Sequence, residues 1–418
     1  MKKRVAVIQF PGNNSEYETR RALWDAGMDA EFFRWNDNPE KLKEFDGFVF
    51  VGGFAYEDRG RAGLIASMDP VMEHIKDEAA KGKPVLGICN GAQVLVESGL
   101  IPGGEKNELL MCLARNKKVK DGKVIGTGFY NENVNIVSTA PKGRSAFNID
   151  YRPGELGFLP VAHGEGRYTT IIDGLMDFLE ENEQIVFKYC TEKGEIDPNF
   201  PVNPNGALHS AAAICNPKGN VMAIMPHPER AFSAPMPGIF TSMRKYMEGV
   251  ALTGQAQPLN FDEPHPSPLS YKHQKNTLEF YVKLIITDNE AQTIENALRL
   301  RGFDVRIQKW LHYEIEHSEA ENQDELAQKL AATGELLNSN KETLTLVTDT
   351  KNEFHKNPGA AYFLVRDIED TRGESKSASL GHRIRFGWFW EVQGDVNFDK
   401  LLATNIFHSP HAQILYRA

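Results

Sequence analysis

A glycine-flanked cysteine at residues 87–93 constrains this chain more than any other feature of its sequence. The segment reads GICNGAQ, and it lies between an apolar run ending at Leu86 and an apolar, helix-periodic run starting at Val94. This order predicts a strand, a sharp turn at Cys89 and a helix whose first amides favour the thiolate. We therefore expect a nucleophile elbow, although a cysteine between glycines can also be a buried packing residue.

The segment 225–230, which reads MPHPER after an apolar run, supplies a matching base. Residues two apart in an extended chain point to the same side, so His227 and Glu229 can act together. A thiol nucleophile needs a base within hydrogen-bond reach, and the base needs a carboxylate that orients it. Alone, the pair would suggest a turn histidine beside a solvent-facing glutamate. Together with Cys89, it predicts a Cys-His-Glu triad.

A third element is the apolar run 48–51, which ends in two glycines. Acyl transfer needs amide donors directed at the developing oxyanion. A Gly-Gly loop at the end of a strand can present one such amide, and the residue after the nucleophile can present the second. Gly53 and Asn90 are therefore the oxyanion candidates. A plain tight turn would explain Gly52 and Gly53 equally well in isolation.

Length and composition limit the class of protein. The 418 residues predict two or three domains, and 41% hydrophobic content is enough for real cores. The net charge of −10 argues against a nucleic-acid partner, and no apolar run approaches the 18 residues of a membrane span. The basic, apolar start is broken at Gln9, so we interpret it as a first strand and not as a signal peptide. Four cysteines without metal-like spacing predict no metal site, no disulfide framework and a cytoplasmic location.

The chain divides by pattern into four parts. Residues 1–252 begin with alternating strand and helix signals, which predict an α/β fold with a mostly parallel sheet and helices on both faces. In such sheets sites form at the carboxyl ends of strands, where all three chemical elements fall. Residues 253–276 are Pro-rich and predict a linker. Residues 277–348 predict a small α+β module of βαββαβ-like order, including a helix over 324–332.

Residues 349–418 predict a second, degenerate copy of this module. The pentapeptide KLAAT at 329–333 recurs as KLLAT at 400–404, and a strand candidate follows each. The first helix of the second copy is expected to be missing, because residues 369–379 are charged and rich in small residues. The aromatic run 386–390, FGWFW, is expected to need cover from a partner or from another sheet.

The combined motifs resemble class I glutamine amidotransferases, and within that class the glutaminase subunit family of phosphoribosylformylglycinamidine synthase. The resemblance covers about residues 1–250 and rests on five segments: 52–54, 89–93, 160–168, 203–206 and 225–230. One departure is AYED at 55–58, where the family usually has Ser-Tyr-Gly-Asp. Glu57 thus replaces a glycine near the oxyanion loop.

The resemblance implies a mechanism for this chain. Cys89 would attack the side-chain amide of L-glutamine, His227 would protonate the leaving ammonia and then activate water, and Glu229 would orient His227. The residues expected to contact glutamine are Gly52, Phe54, Gln93, His163, Gly164 and Glu165. Ammonia would pass to a separate large synthetase subunit that holds ATP and Mg²⁺. No Gly-x-x-x-x-Gly-Lys-Ser/Thr motif occurs here, so no cofactor is expected in this chain.

The segment from about 276 to 348 resembles the small accessory subunit of the same synthase, chiefly in its order of elements. The resemblance implies a bridge between the glutaminase and the synthetase, with possible homo-oligomerisation through this module. Unrelated functions for the two parts are the alternative. Two alternatives also remain for the whole chain: an amidotransferase serving another synthetase, and a non-catalytic scaffold that keeps the fold.

Overall fold

The computed structural model describes residues 2–231, 238–254, 257–349 and 354–418. The chain forms two compact units, Met1–Pro264 and His265–Ala418. Their boundary lies inside the segment 253–276 that the sequence predicts as a linker. Leu259 is buried in the core of the first unit, and Leu269–Ser270 is a strand of the second unit. Much of the expected linker is therefore built into one unit or the other.

The described part of the N-terminal unit alternates strands and helices along the first hundred residues. Its strands are β1 (Arg4–Gln9), β2 (Asp29–Arg34), β3 (Gly47–Phe50), β4 (Val85–Ile88), β5 (Cys112–Ala114), β6 (Lys117–Lys120), β7 (Lys123–Thr127), β8 (Tyr130–Ser138), β9 (Leu156–His163), β10 (Arg167–Thr169), β11 (Ile185–Cys190), β12 (Ala211–Cys215) and β13 (Val221–Ile224). Its α-helices are α1 (Glu16–Asp25), α2 (Leu64–Ser67), α3 (Val71–Ala80), α4 (Asn90–Glu97), α5 (Leu175–Glu181) and α6 (Gly238–Met247).

The main sheet of this unit confirms the predicted fold class. In the described residues it has nine strands in the order β2-β1-β3-β4-β13-β12-β11-β8-β9. The five strands from β2 to β13 are parallel, and the remaining neighbours pair antiparallel. Strands β3, β4 and β13 are buried throughout, as expected of parallel strands covered on both faces. Their carboxyl ends lie side by side, which positions the loops that follow them.

One predicted helix of this unit is divided. The sequence pattern suggests a single helix over 62–81, whereas the structure has α2 and α3 with Pro70 between them. Proline lacks the amide that a continuous helix needs and disfavours helical geometry in the residue before it. Pro70 therefore begins the second helix instead of continuing the first.

The C-terminal unit contains two halves with the same order of elements. The first half has β15 (Thr277–Leu284), α7 (Asn289–Leu300), β16 (Arg306–Glu316), α8 (Gln323–Ala332) and β17 (Glu342–Val347). The second half has β18 (Ala360–Asp367), α9 (Thr371–Leu380), β19 (Ile384–Gln393), α10 (Phe398–Leu402) and β20 (Gln413–Arg417), and the short strand β14 (Leu269–Ser270) joins at β20. Each half is βαβαβ, one strand fewer than expected, because residues 306–316 form one long strand.

The two halves share one antiparallel arrangement around a pseudo-two-fold axis. Among the described residues the sheet order is β14-β20-β18-β19-β16-β15-β17, with the ten-pair ladder of β16 and β19 at its centre. Strand β15 pairs with β16 and β17 as β18 pairs with β19 and β20. The registers also match, because superposing Thr277 on Ala360 brings Glu316 onto Gln393. Each half therefore completes the sheet of the other.

The second half does contain a first helix, so that prediction was wrong. Helix α9 begins after Asp370, whose side chain accepts a 2.7 Å hydrogen bond from the amide of Gly373. A Cβ on Gly373 would lie 2.5 Å from the carbonyl oxygen of Ile384, and the Ser377 hydroxyl accepts from the Ile384 amide. The small residues that lowered the helix propensity are those that let α9 lie directly on β19.

The expectation that the aromatic run 386–390 needs cover from a partner or from another sheet was also wrong. This run lies within β19 near the centre of the sheet, and Phe389 is 1% exposed. The ring of Phe389 contacts the rings of Tyr281, Phe354 and Tyr362, with centroids 4.9–5.6 Å apart. The C-terminal unit thus provides partners for this strand from its own residues.

Candidate active site

Cys89 lies at a strained corner between β4 and α4. Its backbone has φ 52° and ψ −106°, a conformation that non-glycine residues seldom adopt and that is characteristic of nucleophile elbows. A Cβ on Gly87 would lie 2.5 Å from the carbonyl oxygen of Gly91, and one on Gly91 would lie 2.2 Å from that of Phe50. Both glycines are therefore required by close backbone approach. The corner leaves the Cys89 thiol 3.7 Å from the carbonyl oxygen of Ala162 at the end of β9.

His227 and Glu229 form a buried pair just beyond β13. The Nδ1 atom of His227 lies 2.6 Å from Oε1 of Glu229, and the side chains are 2% and 0% exposed. The Nε2 atom of His227 is buried and has no hydrogen-bond partner in the described residues. Burial lowers the pKa of His227, but the charges of Glu229 and Cys89 outweigh it and raise that pKa above its ordinary value. The pair thus favours an imidazolium beside Cys89.

Gly52 lies directly against two of the catalytic candidates, His227 and Cys89. A Cβ at Gly52 would be 2.8 Å from Cε1 of His227 and 3.5 Å from Cβ of Cys89. The carbonyl oxygen of Gly52 accepts hydrogen bonds from the amides of Asn14 and Ser15 in the loop after β1. These contacts hold the Gly52–Gly53 turn at the same sheet edge as the elbow. The structure therefore brings the predicted oxyanion loop, the cysteine and the histidine together.

The other cysteines differ from Cys89 in chemistry. All four cysteines are free and buried. Burial raises the pKa of Cys190 and Cys215 to about 11, which disfavours their thiolates near neutral pH. Neither residue lies at an elbow or beside a histidine–carboxylate pair. Cys89 alone among the four combines an elbow with a base.

His163 is buried at the end of β9 in a neutral state. Burial, and after it the charge of His227, lowers the pKa of His163 to about 3. Its Nδ1 lies 3.2 Å from Oδ1 of Asn116, while its Nε2 is buried without a hydrogen-bond partner in the described residues. Because Asn116 offers an acceptor, Nδ1 carries the proton and Nε2 presents a lone pair. His163 can therefore accept a hydrogen bond from a bound molecule.

The other residues predicted to contact the substrate differ in exposure and in their hydrogen bonds. Phe54 is 45% exposed beside the Gly52–Gly53 turn. Gln93 is buried, and its amide is engaged at both ends: Nε2 donates to the carbonyl oxygen of Glu165 at 2.5 Å, and Oε1 accepts from Asn90 at 3.0 Å. The carboxylate of Glu165 accepts from the amide of Ala62 at 3.2 Å. Gln93 and Glu165 thus hold the loop after β9 against neighbouring loops.

Sequence reasoning missed Asn116, which fixes the loop that contains Gly164. The amide of Asn116 donates to the carbonyl oxygen of Gly164 at 2.9 Å, and its side chain donates to that of His163 at 2.7 Å. Its Oδ1 also accepts from the amide of Gly166 at 2.9 Å. The neighbouring sequence is Arg115 and Lys117, and it carries no motif that would have singled out this asparagine.

In the residues that the structure describes, no group of three or more His, Cys, Asp or Glu side chains is placed to hold a metal ion. Nor does that part of the chain contain a helix long and apolar enough to cross a membrane.

The comparison with protein families assigns the class. Residues 2–249 match the model of the CobB/CobQ-like glutamine amidotransferase domain, which is more than half of the chain. The chain therefore belongs to this family of glutamine amidotransferases. The match ends within the N-terminal unit and contains the Cys89, His227 and Glu229 site.

Individual proteins similar to this chain give a more specific family assignment. Phosphoribosylformylglycinamidine synthase subunit PurQ from Methanothrix thermoacetophila is 46% identical over 259 residues, which are 59% of this chain and 98% of that protein. The same subunit from Chlorobium chlorochromatii is 38% identical over 251 residues, with 59% and 98% covered. The chain belongs to the PurQ family, as the sequence motifs predicted. Among solved structures, PurLQS from Thermotoga maritima is 28% identical, with a TM-score of 0.46, covering 59% of this chain and 100% of that chain.

Proposed function

We propose that this chain is the glutaminase component of phosphoribosylformylglycinamidine synthase in purine biosynthesis, with Cys89, His227 and Glu229 as its catalytic triad. The observation that carries this proposal is the 2.6 Å contact between buried His227 and Glu229 beside a cysteine at an elbow. Membership of the PurQ family supports the substrate, L-glutamine, and the synthase. A class I amidotransferase serving another synthetase is the alternative that this family membership disfavours.

The geometry supports a two-step acyl transfer. The thiolate of Cys89 attacks the side-chain carbon of glutamine, and the amides of Gly53 and Asn90 stabilise the oxyanion. His227 donates its Nε2 proton to the departing nitrogen, which leaves as ammonia. His227 then takes a proton from water, the resulting hydroxide attacks the glutamyl thioester, and glutamate and the thiolate are released. Glu229 keeps the proton on Nδ1 throughout.

For the bound glutamine we propose contacts with Gly52, Phe54, His163 and Gly164. The lone pair on Nε2 of His163 suits an N–H donor of the substrate. Gln93 and Glu165, which the sequence also suggests as contact residues, support the site by a different route. The Gln93 side chain donates to the carbonyl oxygen of Glu165, and the Glu165 carboxylate accepts from the amide of Ala62, so we propose that both residues shape the loop after β9 for glutamine.

The synthetase partner and the location belong to the same proposal. We propose that ammonia passes to a separate large subunit that binds ATP and Mg²⁺, and that the complex resides in the cytoplasm, where thiols stay reduced. The chain carries no Walker-type phosphate loop that would let it use ATP itself. The role of the C-terminal unit in docking to this subunit rests on its resemblance to the accessory subunit.

We further propose that the C-terminal unit arose by duplication of one βαβαβ module. Matched registers support this, and so do matched residues: Phe280 and Phe363 occupy the same position, as do the buried carboxylates Glu314 and Glu391. Each of these carboxylates accepts a tyrosine hydroxyl, at 2.9 and 2.6 Å. Homo-oligomerisation through this unit remains an expectation, which the mass of the full-length chain in solution tests.

One experiment separates these possibilities. Glutaminase and synthase activities are measured for the full-length chain, alone and with the large synthetase, using wild type and Cys89→Ala. We expect Cys89→Ala to lose glutamine-dependent synthesis and to retain synthesis from added ammonia. Glutamine use by Cys89→Ala at the wild-type rate would refute the triad. Turnover with the synthetase of another pathway instead would indicate a different synthase, and no turnover by wild type in any complex would indicate a scaffold.

A further inference from the structure

The side chain of Asn90, the residue after the nucleophile, is fully buried and fully hydrogen-bonded. Its Oδ1 accepts from the amide of Ala55 at 2.9 Å and from the side chain of Asn13 at 3.4 Å. Its Nδ2 donates to Oδ1 of Asp58 at 3.1 Å and to Oε1 of Gln93 at 3.0 Å. A primary amide has two donor hydrogens and two acceptor lone pairs. All four of these hydrogen-bonding positions are used in Asn90. Two reach the loop after β3, one reaches the loop after β1, and one reaches Gln93 in α4.

The loop after β3 needs such an anchor because its backbone is strained. Tyr56, Glu57 and Asp58 have φ values of 52°, 58° and 51°, so three consecutive non-glycine residues are left-handed. Each left-handed residue costs about 1–2 kcal/mol relative to a right-handed one. Asn90 contacts both ends of this strained turn, at the amide of Ala55 and at the side chain of Asp58.

The same amide connects to the loop that follows β9. Gln93, which accepts from Asn90, donates to the carbonyl oxygen of Glu165. The two loops are in direct contact, because the Glu165 carboxylate accepts from the amide of Ala62 at 3.2 Å. Burial, and after it the charge of Glu165, raises the pKa of Asp58 to about 7. The Asn90 side chain is thus the shared contact of the loops after β1 and β3, helix α4 and, through Gln93, the loop after β9.

We propose that the Asn90 side chain is a positioning residue that holds the Gly53 amide in register with the Asn90 amide over Cys89. The two oxyanion donors come from different loops, and the Asn90 side chain adds a direct cross-link between these loops to the pairing of β3 with β4. The proposal rests on the function proposed above and adds a second role to a residue otherwise needed only for its backbone. The side chain would act through the loop, without touching the substrate.

The position of the oxyanion donors affects the transition state more than the bound substrate. Misplacing a catalytic group by about 1 Å costs up to about 10²-fold in rate, and removing an oxyanion donor costs about 10²–10³-fold. Asn90→Ala keeps its backbone amide and loosens only the partner loop. We therefore expect kcat for glutamine to fall about 10- to 100-fold, with KM within about threefold of wild type.

The experiment uses full-length variants assembled with the synthetase and measures kcat, KM, the melting temperature and alkylation of Cys89 by iodoacetamide. Alkylation needs the thiolate but no oxyanion hole, so its rate in Asn90→Ala should stay within about twofold of wild type. Asn148→Ala is the matched control. Asn148 is also a fully buried asparagine that ties a loop together, at the opposite end of β8 from the site. It should lower the melting temperature without lowering kcat.

A charge-neutral exchange provides the rescue. Asn90→Asp alone places a third carboxylate near Asp58 and Glu165, and it should be at least as slow as Asn90→Ala. Adding Asp58→Asn reverses donor and acceptor between positions 90 and 58, and should restore kcat about fivefold or more over Asn90→Asp. If Asn90→Ala does not fold, Asp58→Ala removes one anchor from the loop side and should lower kcat in the same way.

Three results would overturn the inference. The first is an unchanged kcat in Asn90→Ala. The second is a parallel loss of kcat, alkylation and melting temperature, as a purely structural asparagine would cause. The third is glutamine hydrolysis by Cys89→Ala at the wild-type rate, which would remove the proposed function as well and is recognisable because it does not involve position 90.

Discussion

Replacing Glu229 by Gln tests the electrostatic part of the site most directly. The substitution keeps the size of the side chain and removes one charge, which lies 2.6 Å from Nδ1 of His227 in a fully buried pair. The Glu229 charge is the largest influence that raises the pKa of His227 against burial. Without it, His227 should lose its preference for the protonated form, and Cys89 should lose the cation that favours its thiolate.

The magnitude follows from the difference between a charged and a neutral hydrogen bond. A bond to a charged group contributes about 1.5–3 kcal/mol, against about 1 kcal/mol for a neutral one, and a buried site lies at the upper end. At that upper end the difference is about 2 kcal/mol, which corresponds to a rate about 30-fold lower. His227→Ala removes the base itself and should cost more, about 10³-fold or more.

The assay is the pH dependence of kcat/KM for glutamine and of the melting temperature, for wild type, Glu229→Gln and His227→Ala. Because the pKa of folded His227 is raised, the pair stabilises the fold fully below the ordinary histidine pKa of about 6.5 and loses this effect as pH rises through the raised value. The stability difference between wild type and Glu229→Gln should therefore shrink with rising pH above about 7. A wild-type rate for His227→Ala, or a rate for Glu229→Gln below that of His227→Ala, would refute this assignment of base and orienting group.

Other substitutions test the loops and the boundary between the units. Gly52→Ala places a methyl group 2.8 Å from the His227 ring. Because this displaces the base, kcat should fall at least about tenfold. The melting temperature of the variant shows whether it still folds. Asn116→Ala releases the loop that carries His163 and should raise KM for glutamine about tenfold by the loss of one to two kcal/mol, with a smaller effect on kcat. A chain ending at Pro264 should fold alone. One ending at Gly254 exposes the cleft filled by Leu259 and should be less stable by about 2 kcal/mol in denaturant titration; equal stability would contradict this.

Those parts of the fold that depend on local pattern could be predicted from the sequence. Alternating strand and helix signals in the first hundred residues indicated the parallel half of the main sheet, because each signal lies within one element. The antiparallel half depends on pairings such as β8 with β11, which are set by partners distant in sequence. The helix α9 was missed because its small residues lower helix propensity, and they are favourable only once β19 lies against them.

The candidate site shows the same division. Cys89, His227 and Gly52 lie in short motifs whose residue types and spacing indicate their chemistry. The structure brings these three residues together. The contacts of Asn90 and Asn116 join loops that are far apart in sequence, and single asparagines have no distinctive spacing. Glu57, which the sequence resemblance places where the family usually has glycine, has φ 58° and donates its amide to the carbonyl oxygen of Phe54 at 2.8 Å. The backbone that glycine would adopt freely is thus kept by a residue for which it is strained.

The duplication that we propose for the C-terminal unit would explain why only its last elements repeat visibly in the sequence. Corresponding residues are Thr277 and Ala360 in the first strands, Glu316 and Gln393 in the second, and Leu346 and Arg417 in the last. The sequence interval between corresponding residues shortens by a few residues from each strand to the next, so no single repeat period aligns the two halves. A two-fold sheet requires that register be kept within each ladder, and it places no demand on the lengths of the loops between strands. After a duplication, loop lengths could therefore diverge while the pairings stayed, and KLAAT and KLLAT are in step only with the strands that follow them.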